Sequence, residues 1–343
     1  MFPLLSRYLL ENWTELLPGT PTPDKIPFVQ IPGSRISTFL VLSEKQGRGP
    51  RLVIKLPRTR EGEAYLRLEY ENLERIMRRL APLPDFLPAV PRPVSLCAIG
   101  GKTVLMLEGL PGSRLHSFPV RGYQALARVC QWLTALHVAT RREATLSAGD
   151  AEQAFLEPIR KFEKGSELSP GATAYLRRIR ERVAGLVGGP FAFTLTHGDF
   201  SVSNILLDPP ANERRFAEAT VSVLDWTKSL DAGLPIRDLF HLFTAYAKGL
   251  EAGFSSARIT YSLAGPGPYA RAVRAWLDAY CGEMRIPRWY QGLCIAMEYI
   301  YGATDYPWGI ERSRKARYLD NFETYVRGIS NRDEDRPFAL LPD

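Results

Sequence analysis

The sequence predicts an α+β protein in which a small antiparallel sheet with one main helix precedes a larger, mostly helical part. Three observations predict it. Phe28 to Glu44, Arg51 to Leu56, Val94 to Ala98 and Thr103 to Leu107 favour strands, with turn signals at Pro32-Gly33-Ser34 and from Gly47 to Pro50. A helical stretch from about Gly62 to Leu80 lies among them and is ended by the proline-rich segment Pro82 to Pro93. After Leu110-Pro111-Gly112 the pattern changes to long helices, Tyr123 to Ala139, Glu152 to Phe162 and Thr173 to Leu186, which sets a domain boundary near residue 110.

The remaining elements follow in order. Met1 to Leu17 lacks a basic start and a long apolar stretch, and its apolar residues recur at helical spacing, so an amphipathic helix is expected there rather than a signal peptide. Between Phe193 and Trp226 the helical pattern breaks into two short apolar runs, Asn204 to Leu207 and Thr220 to Leu224, each beside a polar cluster. Helices then resume to the end, where Asn331 to Pro337 reads as a frayed, charged tail. There is no internal repeat and no low-complexity segment.

Composition narrows the class. A chain of 343 residues, 45% hydrophobic and 11% aromatic, can bury a real core. Lys and Arg outnumber Asp and Glu by 44 to 37, a net +7, but the excess is spread thinly. Pairs such as Arg78/Arg79, Arg141/Arg142 and Arg177/Arg178 are interleaved with Leu, Ile and Glu, the pattern of solvated helix faces rather than of a stripe that tracks nucleic acid. Cys97, Cys130, Cys281 and Cys294 form no C-x-x-C pair and are expected to be reduced core thiols. No run approaches the 18 or more apolar residues of a membrane span, so a cytoplasmic location is the expectation.

The segment richest in chemistry is His197-Gly198-Asp199-Phe200-Ser201-Val202-Ser203-Asn204, followed by the strand-like Ile205-Leu206-Leu207. A carboxylate and an amide five positions apart in a loop can divide the work, one orienting an attacking hydroxyl and the other coordinating a metal. The same residues would also suit a turn that caps its own backbone. A second aspartate, Asp225, ends the apolar run from Val221, 26 residues after Asp199 (225 minus 199). With Asn204 it supplies two oxygen donors from different segments, which suits Mg²⁺.

Through His197 to Asn204 and Val223 to Leu239 the sequence resembles the aminoglycoside phosphotransferase and choline kinase-like family, relatives of the protein kinases. The resemblance implies a protein-kinase-like bilobal fold, with a nucleotide-binding lobe at residues 1–108, a hinge at 109–112 and a catalytic, acceptor-binding lobe at 113–343. It implies that Asp199 is the catalytic base, that Asn204 and Asp225 hold Mg²⁺, and that Asp238 buttresses the loop. Leu136-His137 and Leu107 to Gly112 look like the family's first helix after the hinge and the hinge itself, so backbone groups of Leu107 and Gly109 would bind the adenine.

Kinase-like chemistry also needs a strand lysine on the phosphates and a helix acid to hold it. Lys55 fits the first place. Leu66, Glu69, Leu73, Ile76 and Leu80 succeed one another at steps of three and four, so Glu69 lies inside an apolar stripe where a carboxylate needs a cation. Glu71 shares its face with Arg67, Arg75 and Arg78 and is satisfied in solvent, which makes Glu69 the partner. Ile31 to Thr38 holds a single glycine and is either an ordinary turn or, by resemblance, a polar phosphate loop with Ser34 and Arg35 at the phosphates. Thr227 stands where many relatives carry an acid two residues after the metal aspartate.

His116, His137 and His241 fit no metal spacing and are read as structural. Tyr299, Tyr301, Tyr306 and Trp308 either line a pocket or pack the last helices. The implied activity is transfer of the γ-phosphate of ATP or GTP to a hydroxyl of a small molecule, whether a sugar, an amino alcohol or an aminoglycoside. The alternative is an inactive, nucleotide-binding pseudokinase or scaffold, against which the intact Lys55, Glu69, Asp199, Asn204 and Asp225 set argues. The short path from Asp225 to Asp238 leaves little room for the activation segment that a protein acceptor would require.

Overall fold

The computed structural model describes residues 2–42, 49–117, 123–208, 216–250, 266–304 and 312–330. The chain divides into two compact units, Met1–Pro119 with Ser203–Lys228, and Val120–Val202 with Ser229–Asp343.

The first unit opens with α1 (Phe2–Leu16), whose Leu5, Leu9, Trp13 and Leu16 recur at helical spacing and are buried. Strands β1 (Phe28–Ile31), β2 (Ile36–Val41), β3 (Leu52–Pro57), β4 (Pro93–Ile99) and β5 (Lys102–Glu108) form an antiparallel sheet in the order β1-β2-β3-β5-β4. Successive side chains on a strand point to opposite faces. Leu52 and Ile54 of β3 join α1, Phe39, Val41, Val104 and Met106 in one apolar cluster. Val53 and Lys55 therefore face the other way, the side taken by α2 (Arg60–Leu80), whose buried stripe is Leu66, Glu69, Leu73, Ile76 and Leu80. Thr59 caps α2 by accepting from the Gly62 amide at 3.1 Å. A short three-stranded sheet completes the unit, with β9 (Ile205–Asp208) between β6 (Ser113–Arg114) and β10 (Thr220–Val223).

The second unit is mostly helical: α3 (Gln124–Ala139), α4 (Ala148–Ala151), α5 (Glu157–Lys164), α6 (Pro170–Leu186), α7 (Arg237–Leu250), α8 (Pro268–Met284), α9 (Arg288–Thr304) and α10 (Arg312–Ser330). It also holds a sheet that the periodicity hides, with β8 (Pro190–Thr196) between β7 (Arg142–Thr145) and β11 (Leu230–Gly233). In the central strand β8 residues 193–196 are all buried, the two threonines with the apolar Phe193 and Leu195, so both faces of that stretch are covered. Arg141 and Arg142 accordingly leave the helix-face pattern: α3 stops at Ala139 and the chain turns into β7. The helix expected from Glu152 begins earlier, because Ser147 and Asp150 form a reciprocal cap, and it passes through a wider π-turn at Glu152–Leu156 just before Pro158.

All four cysteines are free, and Cys130, Cys281 and Cys294 are buried, as expected. Among the described residues no helix is long and apolar enough to cross a membrane. Gly47, Tyr306, Trp308 and the tail from Asn331 to Pro337 lie outside the described residues.

Candidate active site

In the first unit, Lys55 leaves β3 and donates to both oxygens of Glu69, at 2.5 and 2.8 Å. Glu69 is fully buried and Lys55 is 16% exposed. Burial works against the Lys55 ammonium, but Glu69 and then Asp225 outweigh it and raise its pKa, so the lysine is a cation answering two carboxylates of the same unit. Glu71 is exposed, and Arg67 turns instead to Glu63 at 2.9 Å and Thr103 at 3.2 Å.

Strands β9 and β10 pair with Val223 opposite Ile205, and the Leu224 amide donates to the Asn204 carbonyl at 2.8 Å. This puts Asn204 and Asp225 at one end of the same ladder, Asn204 leading into β9 and Asp225 following β10. Asp225 has a left-handed backbone, φ 61°, which aspartate tolerates better than most residues. Its Oδ1 accepts from Tyr65 at 2.5 Å and from Thr227 at 2.7 Å. Burial, then the charges of Asp225 and Glu69, push the Tyr65 hydroxyl far up, so it stays protonated and donates. Thr227 thus supports Asp225 through its hydroxyl. Asn72 of α2 donates to the Thr227 and Trp226 carbonyls at 2.7 and 3.3 Å, fixing the outgoing chain. Among the described residues no group of three or more His, Cys, Asp or Glu could hold a metal. Two oxygen-bearing side chains suit a cation that completes its shell with phosphates and water.

Ser34 and Arg35 are exposed between β1 and β2. Their loop is tied down by Arg58, whose amide donates to the Arg35 carbonyl at 2.7 Å and whose guanidinium donates to the Gly33 carbonyl at 2.9 Å. Leu107 is buried in β5. The Gly109 amide donates to the Arg51 carbonyl at 3.1 Å, and a Cβ on Gly109 would run into the Pro50 carbonyl oxygen. An adenine contact at the Gly109 amide therefore requires exchange of that bond.

In the second unit, the loop carrying Asp199 is pinned from below. Asp238, in the first turn of α7, accepts from the His197 amide at 2.6 Å and the Gly198 amide at 2.8 Å. Burial pushes its carboxyl up, but His137, His197 and the amide bonds overcome this and hold it down at about 2. The His137 Nε2 stands 3.5 Å from Asp238, and its Nδ1 meets the Tyr280 hydroxyl at 2.6 Å. Tyr280 in turn accepts from the Ile236 amide at 3.1 Å. Ile236 has φ 73°, an unfavourable place for a β-branched residue, and its carbonyl accepts the Phe240 amide as α7 begins. Strain is thus stored where the chain turns to present Asp238.

Asp199 itself is 23% exposed, and its Oδ1 lies 3.1 Å from the His241 Nε2. The other His241 nitrogen, Nδ1, meets Glu298 Oε1 at 2.5 Å. Glu298 Oε2 accepts from Arg237 Nε at 3.1 Å. His241 was read from sequence as structural; it sits instead on Asp199. Glu298 and Arg237 were missed altogether, because residues 57 and 61 apart in sequence leave no periodic signal. Among the late aromatics, Tyr299 packs against Phe240 and Tyr325 in the core, while Tyr301 lies beneath the Arg237 guanidinium, 4.1 Å from it.

A family model described as the phosphotransferase enzyme family matches residues 28–281. No curated protein matches the chain. Among solved structures, the GDP complex of a point mutant of aminoglycoside 2′-phosphotransferase-IIIa is 14% identical, with 94% of this chain and 97% of that one covered and a TM-score of 0.52. A putative fructosamine-3-kinase from Thermobifida fusca is 18% identical, with 88% and 93% covered and a TM-score of 0.51. At these identities they establish a shared fold, the one expected from the sequence. The family match runs from β1 into α8 and takes in residues of both units, and by it this chain belongs to the phosphotransferase enzyme family.

Proposed function

We propose that this phosphotransferase moves the γ-phosphate of ATP or GTP to a hydroxyl of a small molecule, a sugar, an amino alcohol or an aminoglycoside-like compound. The observation that carries the reading is the buried Lys55–Glu69 pair that also feels Asp225. A lysine held by one acid and biased by a second is built to meet phosphate oxygens, and no packing need explains a salt bridge there. In this reading Asp199 takes the proton of the acceptor hydroxyl. Asn204 and the free side of Asp225 hold Mg²⁺, since both hydroxyl donors address Oδ1. Bound there, the cation would neutralise charge on the transferring phosphates.

Residues 1–108 would bind nucleotide, with Leu107 and Gly109 of the hinge at residues 109–112 on the purine and Ser34 and Arg35 on the phosphates. Residues 113–343 would carry the base and receive the acceptor. The GDP bound by the aminoglycoside phosphotransferase and the sugar-derived acceptor named for the fructosamine kinase support a nucleotide donor and a small hydroxylic acceptor.

The test is thermal stabilisation by ATP, GTP and ADP with and without Mg²⁺, followed by a phosphate-transfer screen over sugars, amino alcohols and aminoglycosides. Nucleotide at a hundredfold excess over Kd should stabilise by about 2.7 kcal/mol. The shift should depend on Mg²⁺ in the native chain and lose that dependence in Asp225→Ala. Absence of stabilisation by every nucleotide would sink the proposal.

A further inference from the structure

Two hydroxyls address the Asp225 carboxylate, and both go to the same oxygen. Tyr65 donates to Oδ1 at 2.5 Å and Thr227 donates to it at 2.7 Å. The two donors come from different places. Thr227 lies two residues on, in the short helical turn Trp226–Lys228, and moves with Asp225. Tyr65 reaches in from α2, 160 residues away in sequence, and all three side chains belong to the first unit.

Residues of a helix at steps of three and four share one face. Tyr65, Glu69 and Asn72 stand at such steps on α2, and each holds a different part of one site. They meet the Asp225 carboxylate, the Lys55 ammonium and the carbonyls of Trp226 and Thr227. The helix itself is fixed by buried Leu66, Leu73, Ile76 and Leu80 and by the Thr59 cap. Packing accounts for those apolar residues, and Lys55 accounts for Glu69. Neither accounts for Tyr65, because a half-buried tyrosine can leave its hydroxyl in water rather than aim it at a carboxylate.

The carboxylate needs such a reference. Lys55 hydrogen-bonds both oxygens of Glu69 and acts on Asp225 as a charge, which attracts without fixing an orientation. A carboxylate oxygen offers about two lone-pair sites, so two donors fill Oδ1. A cation can then meet Oδ2 without displacing either hydroxyl, whereas a cation that takes both oxygens must displace at least one. Mg²⁺ is content with one oxygen from such a carboxylate, completing an octahedral shell with phosphates and water. Ca²⁺ is larger, takes about six to eight oxygens and often both of one carboxylate.

We propose that Tyr65, together with Thr227, is a positioning residue that holds Oδ1 of Asp225 and confines the carboxylate to one-oxygen binding, so that the site prefers Mg²⁺ to Ca²⁺. The proposal rests on the reading of Asp225 as a metal ligand. In this role Tyr65 acts only through Asp225, by setting which oxygen faces the cation and how tightly the carboxylate is held.

The experiment is thermal unfolding of the full-length chain with a non-hydrolysable ATP analogue while Mg²⁺ or Ca²⁺ is titrated. Comparing half-saturating concentrations between variants cancels the cations' own affinity for the triphosphate. The native chain should be stabilised at lower Mg²⁺ than Ca²⁺. Tyr65→Phe should raise the Mg²⁺ requirement on the order of tenfold. Its Ca²⁺ requirement should rise by no more than about threefold, so the preference narrows. Thr227→Val should narrow it in the same direction, and it carries the test if Tyr65→Phe does not fold.

A native chain with equal requirements for the two cations overturns the proposal. So does a Tyr65→Phe chain in which both requirements rise by the same factor, since that is the mark of a loosened α2. If Asp225→Ala keeps its dependence on the cation, the metal reading falls and this role with it. If Asp225→Ala loses that dependence while Tyr65→Phe keeps the native ratio, only the positioning role falls.

Discussion

The two units solve the problem of a buried charge differently. In the first, Lys55 and Glu69 neutralise each other across one strand and one helix, 14 residues apart. In the second, four groups of alternating sign run from Arg237 through Glu298 and His241 to Asp199, and two of their separations exceed 50 residues. A two-member pair tolerates little, because removing one partner leaves the other buried and uncompensated. A longer row can lose either end member and keep each remaining charge beside an opposite one, whereas loss of an inner member, Glu298 or His241, takes from one end its neighbour in the row.

The largest effect expected is at the Asp199 end of that row, where the chemistry is proposed to happen. Asp199→Ala should lower phosphate transfer by on the order of 10³-fold, the range of a lost general base, while Mg²⁺-dependent nucleotide stabilisation stays. Equal loss of nucleotide affinity and turnover would place Asp199 among the nucleotide contacts and erase the contrast between the units. Lys55→Ala should act on both properties. It strands Glu69 and should cost about 3–5 kcal/mol of folding stability unless the carboxyl takes up a proton, and it should weaken triphosphate binding as well. Chemical denaturation beside nucleotide titration separates the two losses, and a variant unchanged in both would make Lys55 a surface charge.

How much of this was legible in the sequence follows the same division. The Lys55–Glu69 pair was readable because strand alternation and helical periodicity put both residues in view within one local segment. Asn204 and Asp225 were readable at the start of one short apolar run and the end of another, and the strands β9 and β10 lie where those runs do. The sheet β7-β8-β11 was not, because its flanking strands, Arg142–Thr145 and Leu230–Gly233, are four residues long and carry almost no apolar pattern. Nor was the His241 row, since a lone histidine in a helix looks the same whether it packs a core or holds a carboxylate. Only the turn of Ile236 into α7 and the chain's return to α9 bring its members together.

A smaller effect tests the floor beneath Asp199. Asp238→Asn keeps the shape but presents an NH₂ group toward one of the two amides that the carboxylate now satisfies. Stranding that amide should cost about 3 kcal/mol or less in folding stability. Turnover should fall with kcat rather than with the nucleotide KM, because the loop, not the phosphate contacts, loses its support. A loss confined to nucleotide KM would move Asp238 out of that role.

The smallest effect expected is the response to alkali, and it separates the two units by sign and window. His241 is raised from 6.5 to about 9 in the folded chain, so the stability it contributes is fully present below pH 6.5 and is lost as pH rises through 9. Lys55 is raised from an ordinary value of 10.5, so its contribution is still whole across that interval and fades only beyond it. Asp238, lowered from 3.8 to about 2, contributes stability above 3.8 and loses it as pH falls through 2, outside the same interval. Between pH 6.5 and 9 the His241 row alone among these three should weaken, by on the order of 2 kcal/mol. Amide hydrogen exchange over that range should show lower protection growing in α7 and α9 while β3 and α2 keep theirs. In Glu298→Gln most of the pH dependence should be gone. Equal loosening of both units, or a dependence that survives Glu298→Gln, would show that the two charge arrangements respond as one and that the row has no separate titration.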